Sequence, residues 1–147
     1  MSEGGLLTIV FIVAGVVFSA FFSSSEAAFL SLQRMRIAHL VATGTPGAKR
    51  VAGMIEQPER LLSTILLGNN LVNVAFTALV TVMMISLVDD ESLGVLLATV
   101  VGTAGLLVFG EIIPKTIAVR HSEWVAFLYA RPLKVVETLL LPMVAVL

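Results

Sequence analysis

Residues 92–115, SLGVLLATVVGTAGLLVFGEIIPK, decide the fold of this chain, because they form an apolar run of membrane-spanning length that ends in a carboxylate. No charged residue occurs from Ser92 to Gly110, and a spanning helix needs about 20 mostly apolar residues. Glu111 then places a charge where a charge is unfavourable unless a group pairs with it. Such residues usually face a cavity, a partner or an ion. The stretch therefore predicts a transmembrane span whose acidic end faces a cavity, a partner group or an ion.

The composition indicates a membrane protein throughout. Hydrophobic residues make up 58% of the 147 residues, charged residues make up 13%, and the mean hydropathy is +1.03. Soluble domains are about 45–50% apolar and about 25% charged. A single domain of this size cannot cover so much apolar surface with its own core, so lipid must cover the remainder. The net charge of −1 gives no reason to expect nucleic acid, and the absence of cysteine excludes disulfides and thiolate metal ligands.

Three segments predict transmembrane helices, over residues 4–32, 61–88 and 92–118, so the predicted fold is an all-α membrane protein. All nine lysines and arginines lie between the first two spans or from Lys115 onward. The positive-inside rule then predicts a multi-pass protein of the cell membrane, with the N-terminus outside and the C-terminus in the cytosol.

The remaining segments, residues 33–60 and 120–147, predict helical hairpins that lie along the cytosolic interface. In the first, Gly44-Thr45-Pro46-Gly47 is a turn signal between two short helical stretches. In the second, Trp124 and Tyr129 are residue types of the headgroup level, and Pro132 divides the segment. A second hairpin is therefore favoured over a fourth span. The chain ends in apolar sequence, which favours a soluble part further along the protein.

The first two spans carry polar residues that lipid alone does not satisfy. Ser19 and Ser23 are four residues apart and share one face of the first span, where they suit either close helix packing or ligation. The second span carries three amides, Asn69, Asn70 and Asn73, which suit either interhelical hydrogen bonds or a bound ion.

The third span ends in Gly110-Glu111-Ile112-Ile113-Pro114-Lys115. Pro114 has no N–H group and clashes with the carbonyl of Gly110, so the helix is expected to bend or open there. A free carbonyl beside a carboxylate provides two oxygen ligands. The alternative for Glu111 is an ion pair with Lys115 or with an arginine at the interface.

The three polar clusters lie at compatible depths. At about 1.5 Å per residue, Ser19 lies roughly 22 Å from Arg34, Asn70 about 15 Å from Arg60, and Glu111 about 14 Å from Arg120. Hydroxyl, amide, carboxylate and carbonyl groups are hard oxygen donors, which suit Mg²⁺, Na⁺ or Ca²⁺ and disfavour zinc or copper. One carboxylate with several neutral oxygens makes a site of modest affinity, as a transporter requires.

Three motifs, SSSEAAF at 23–29, GNNLVN at 68–73 and GEIIPK at 110–115, resemble in this order the membrane domain of the CorC/CNNM family of Mg²⁺ transporters. The resemblance implies a homodimer, three spans with juxtamembrane helices, and downstream cytosolic CBS domains that bind ATP. It also implies Mg²⁺ export coupled to Na⁺ entry. Carried over by position, the family's Mg²⁺ site falls on Ser19, Ser23, Asn70, the Gly110 carbonyl and Glu111.

Two other classes of function are considered. One is a non-transporting membrane anchor, or a Mg²⁺ sensor for the CBS domains, in which the polar residues mainly join helices. The other is an intramembrane hydrolase, which would need a base near Ser23, whereas both histidines, His39 and His121, lie outside the predicted spans. We therefore predict no enzymatic activity.

Overall fold

The computed structural model describes residues 3–146, and it is helical with no strand in that range. The elements are α1 (Glu3–Ser31), α2 (Arg34–Ala42), α3 (Ala48–Ile55), α4 (Pro58–Leu87), α5 (Glu91–Gly105), a π-helical segment (Leu106–Ile112), α6 (Ile113–Arg120) and α7 (Ser122–Val146). The predicted all-α fold is confirmed.

Three helices are long and apolar enough to cross a membrane: α1, α4 and the continuous helix Glu91–Arg120 that runs from α5 through α6. They correspond to the predicted spans at 4–32, 61–88 and 92–118. The second begins earlier than predicted because Pro58 occupies its first turn, where a missing N–H group has no consequence.

The chain itself covers little of these helices. Within their most apolar stretches, only 11% of the residues of α1, 11% of those of α4 and 22% of those of Glu91–Arg120 are buried. Large apolar side chains such as Val17, Leu66 and Val74 point outward. Lipid or another protein must cover these faces, because exposed apolar surface in water is unfavourable.

α1 lies at the centre of the bundle and packs on α4, on the π-helical segment, on α6 and on α7. At Gly68 of α4, an added Cβ would lie 2.5 Å from Cζ of Phe22, so the ring of Phe22 occupies the space of a side chain at this position. Gly15 likewise faces Phe76, whose Cβ would lie 3.4 Å from an added Cβ. The absence of side chains at these two glycines therefore lets the helices approach closely.

In the turn between α4 and α5, the acidic residue Asp90 has a structural role. Asp90 Oδ1 accepts hydrogen bonds from the amides of Ser92 at 3.0 Å and Leu93 at 3.4 Å, which caps the start of α5. Just beyond the turn, an added Cβ at Gly94 would lie 3.0 Å from Cα of Ile85, so the two helices leave the turn in close contact.

Residues 33–60 contain the predicted pair of short helices, α2 and α3. The turn between them uses Gly44 and Gly47 with φ of 76° and 83°, a backbone region that glycine adopts without strain. Ile37 and Val51 are buried in the main core of the protein, and α3 contacts α4 and α7. The position of this pair at the membrane interface stays a prediction.

The hairpin predicted over residues 120–147 is wrong. α7 runs as one helix from Ser122 to Val146, with Pro132 and Pro142 inside it. A proline removes one backbone hydrogen bond and bends a helix, but it does not end a helix that tertiary contacts hold on both sides. Such contacts surround Pro132, since Ala130 and Leu133 are both buried in the main core.

A buried carboxylate joins α7 to the start of α4. Glu137 Oε1 lies 2.6 Å from Nε of Arg60 and 3.5 Å from Nζ of Lys134, and the Glu137 side chain is only 6% exposed. The contact with Arg60 is an ion pair rather than an aligned hydrogen bond, because the Nε–H group has no acceptor in suitable geometry. Charge attraction therefore holds the second half of α7 against α4.

We expect Glu137→Gln to lower the melting temperature, because it removes the negative charge that compensates Arg60. Breaking a buried pair costs about 3–5 kcal/mol, and the partial exposure of Arg60 places the expected loss at about 1–3 kcal/mol. The matched control is Glu123→Gln, whose pair with Arg36 at 2.9 Å is exposed on both sides and contributes about 0–1 kcal/mol. Equal losses of stability in the two variants, measured by thermal unfolding in detergent, would contradict the role of Glu137.

Candidate cation site between α1, α4 and the π-helical segment

The buried side chain of Ser19 joins α1 to α4 inside the bundle. Its hydroxyl lies 3.1 Å from Oδ1 of Asn73 and 3.4 Å from Oδ1 of Asn69, and it can donate its single hydrogen to either. Ser19 is completely buried, whereas Asn69 and Asn73 are half-buried. Two of the three amides of α4 therefore face the predicted serine.

The third span meets the same serine through its backbone. An added Cβ at Gly110 would lie 2.9 Å from Oγ and 3.3 Å from Cβ of Ser19, so Ser19 occupies the space of a side chain at position 110. Only glycine permits this approach. Ser19 thus brings together all three spans, and the structure confirms that Ser19 and Gly110 are neighbours.

Gly110 lies in a stretch that leaves the α-helical pattern. Leu106–Ile112 is π-helical, and the amide of Ile113, which follows it, donates to the carbonyl of Val108, five residues earlier. The predicted opening before Pro114 takes this form, because Pro114 cannot supply the α-helical donor for the Gly110 carbonyl. A π-helical insertion of this kind is frequent at functional sites.

Glu111 is half-buried and has no charged partner within ion-pair distance among residues 3–146. Lys115, the partner considered for it, instead lies with its Nζ 3.6 Å from Oε2 of Glu26 on α1. The alternative in which Lys115 neutralises Glu111 is therefore not the arrangement of this structure. The carboxylate remains available to a cation.

Ser23, one turn after Ser19, is completely buried, and its hydroxyl has no hydrogen-bond partner in the described part of the chain. The neighbouring Ser24 shows the usual alternative, since its hydroxyl donates to the carbonyl of Ala20 at 2.6 Å. A buried hydroxyl without a partner costs about 1–3 kcal/mol, and an unfilled ligand position is one explanation. Ser25 has the same property, although it was not included in the predicted site.

Asn70 occupies a different position from the other predicted residues. It is exposed on α4, while Asn69 and Asn73 make the contacts with Ser19. The spacing of four residues between Asn69 and Asn73 was the sequence signal for this pair, because such residues share a helix face. The predicted ligand set contains Asn70 and neither of these two amides.

The groups of the predicted site are one carboxylate, that of Glu111, and several neutral oxygens. No cluster of three or more His, Cys, Asp or Glu side chains that could hold a metal occurs within residues 3–146. Hydroxyl, amide and carbonyl oxygens with a single carboxylate fit a hard cation such as Mg²⁺ or Na⁺ better than a zinc ion.

Comparison with known proteins gives a consistent family. Residues 9–147 match the family model CNNM, described as the cyclin M transmembrane N-terminal domain. The chain is 42% identical over 126 residues to the UPF0053 inner membrane protein YfjD of Escherichia coli, a match that covers 86% of this chain and 29% of that protein. It is 43% identical over 118 residues to a UPF0053 protein of Haemophilus influenzae, with 80% and 28% covered.

A more distant relative is a chloroplastic DUF21 domain-containing protein of Arabidopsis thaliana, which is 35% identical over 124 residues. That match covers 84% of this chain and 18% of the plant protein. The chain thus spans less than a third of the length of these relatives.

We expect Gly110→Ala to lower the melting temperature, because the new methyl group would overlap the Ser19 hydroxyl and force α1 and the third span apart. Overpacking of this kind costs about 1–3 kcal/mol. Gly105→Ala is the matched control, since an added Cβ there meets no atom within 4 Å and alanine favours a helix by about 0.5–1 kcal/mol over glycine. Thermal unfolding of both variants checks this, and a Gly110→Ala protein as stable as Gly105→Ala would show that the contact is loose.

Proposed function

The chain belongs to the CNNM family of cyclin M transmembrane N-terminal domains and is a multi-pass membrane domain, and from that membership we propose that it transports Mg²⁺. The observation that carries the proposal is Glu111, a half-buried carboxylate without a charged partner in the described chain, next to the glycine that touches Ser19. A bound cation would supply the missing charge.

The proposed Mg²⁺ ligands are Ser19, Ser23, Asn70, the Gly110 carbonyl and Glu111. Glu111 contributes the charge, and the neutral oxygens replace part of the hydration shell of the ion. Two observations support the set: the hydroxyl of Ser23 is buried without a partner, and Ser19 touches Gly110. Asn69 and Asn73 compete with Asn70 for the amide position, because they are the amides that reach Ser19.

We propose that transport proceeds by alternating access as export, coupled to Na⁺ entry. Irregular backbone in transmembrane helices provides carbonyl groups that bind Na⁺ in other transporters, and the π-helical segment is a local irregularity of the third span that supports such a role. On the side of the basic residues, the pair of Glu26 and Lys115 connects α1 to α6. Both side chains are more than a third exposed, so this pair contributes about 0–1 kcal/mol and opens readily.

We also propose that two copies of the chain form a homodimer and that cytosolic CBS domains follow it in a longer protein. The uncovered apolar faces of the three spans support lateral association, and the relatives are more than three times as long as the matched segment. The distribution of basic residues supports a cytosolic C-terminus.

The competing function is a membrane anchor that does not transport, or a Mg²⁺ sensor for attached CBS domains. One observation favours it: the hydrogen bonds from Ser19 to Asn69 and Asn73 are also what helix association in lipid requires. A plain anchor should not respond to Mg²⁺ beyond an ionic-strength control, and a sensor should bind Mg²⁺ without moving it.

We expect Mg²⁺ to raise the melting temperature of the protein and Glu111→Gln to abolish this effect. A ligand at 100 times its dissociation constant stabilises the folded state by about 2.7 kcal/mol. Glu91→Gln is the control, because Glu91 is an exposed carboxylate at the start of the same span. An equal Mg²⁺ response in Glu111→Gln and Glu91→Gln would remove Glu111 from the site.

The same experiment with Asn69→Ala, Asn70→Ala and Asn73→Ala identifies the amide ligand. Flux of Mg²⁺ into proteoliposomes then separates the two functions. Mg²⁺-dependent stabilisation without flux supports the sensor, whereas a flux that Glu111→Gln stops supports the transporter. If Mg²⁺-dependent stabilisation and Mg²⁺ flux were unchanged in Glu111→Gln and in all three asparagine variants, the whole site assignment would be wrong.

The predicted orientation can be measured directly because the chain contains no cysteine. We expect a cysteine at Asp89→Cys, in the turn between α4 and α5, to react with a membrane-impermeant maleimide on intact cells. A cysteine at Thr45→Cys, in the turn between α2 and α3, should react only after the cells are opened. The reverse pattern would show that the basic segments face outward, against the positive-inside rule.

A further inference from the structure

An apolar groove lies between α1, α6 and α7, at the end of the bundle that carries the basic residues. Its volume is about 610 Å³, and its lining includes Phe18 and Phe21 of α1, Ile117 of α6 and Tyr129 of α7. This size is in the range of ligand-binding clefts. None of the proposed Mg²⁺ ligands lines it, so the groove is a separate feature of the molecule.

A second cavity, the basic pocket, adjoins the groove. It measures about 520 Å³ and is lined by polar groups that include Arg36, Arg120 and His121. Trp124 lines both cavities, so the groove and the pocket are neighbours at this side chain. Tryptophan prefers the level of the lipid headgroups, because there its apolar ring can contact lipid while its N–H group reaches water.

The pocket carries an uncompensated positive charge. Arg36 pairs with Glu123 at 2.9 Å, whereas Arg120 makes no ion pair with any residue of the described chain. α7 begins at Ser122 beside Arg120, and the first turn of a helix leaves N–H groups that no carbonyl of the helix accepts. A guanidinium group and free amides are the donors that phosphate oxygens bind.

We propose that the groove and the pocket together bind one anionic phospholipid. Its phosphate lies in the basic pocket at Arg120 and the first turn of α7, and one acyl chain lies in the apolar groove past Trp124. The charge of the pocket selects an anionic headgroup. The apolar groove next to the pocket favours a lipid over a soluble phosphate, which would leave the groove empty. The bound lipid connects α1, α6 and α7.

The test is native mass spectrometry of the detergent-solubilised chain with phosphatidylglycerol, phosphatidylcholine or inorganic phosphate. We expect phosphatidylglycerol to be retained preferentially, and Arg120→Gln to weaken its binding about fivefold, the effect of one basic residue near a membrane surface. Ile117→Trp, which fills the groove, should also reduce retention. Arg50→Gln and Leu66→Trp are matched controls, because both residues are exposed and lie outside the two cavities.

Arg120→Lys keeps the charge and should retain more lipid than Arg120→Gln, a difference that general destabilisation would not produce. Equal retention of phosphatidylglycerol and phosphatidylcholine would overturn the proposal. The proposal would also be overturned if an equal concentration of inorganic phosphate displaced the lipid and Ile117→Trp left lipid retention unchanged. A change of oligomeric mass in Ile117→Trp at unchanged lipid retention would likewise overturn it, because the groove would then belong to a protein interface.

Discussion

The hydroxyl of Ser19 holds the three spans together at one point, and the rest of the arrangement depends on that contact. In lipid, a buried polar group has no water to bond, so its partners must come from the protein. Ser19 finds them in Asn69 and Asn73 of α4, and its side chain also fills the space that a Cβ of Gly110 would need. The same residue, Ser19, therefore both makes the buried hydrogen bond and forms the close packing contact between the helices.

The π-helical segment follows from the same constraint. Gly110 must present bare backbone to Ser19, and Pro114 withholds the donor that would close the α-helical hydrogen bond to the Gly110 carbonyl. The backbone widens over Leu106–Ile112, and the helix resumes as α6. Packing against α1 and the chemistry of proline thus act on adjacent turns. Within the irregular stretch Leu106–Ile112, Gly110 is the buried residue, and it lies at the contact with Ser19.

The sequence was sufficient to predict the three spans, because hydropathy and length are local properties; the start of α4 differs by three residues from the prediction. It was not sufficient for residues 120–147, where Pro132 indicated a break that the core contacts of α7 and the pair of Glu137 with Arg60 prevent. Those contacts join residues far apart in the chain, so no local pattern contains them.

The candidate site divides in the same way. The pattern of small and polar residues was sufficient to indicate Ser19 and Gly110, because both lie on the packed face of their helices. Helix periodicity alone did not select among Asn69, Asn70 and Asn73, since that choice depends on which face of α4 turns toward α1. Nor did it predict that Lys115 lies beside Glu26. Whether Lys115 meets Glu111 on its own helix or Glu26 on α1 depends on how the third span packs against the first. In this structure it meets Glu26, and Glu111 makes no ion pair within residues 3–146.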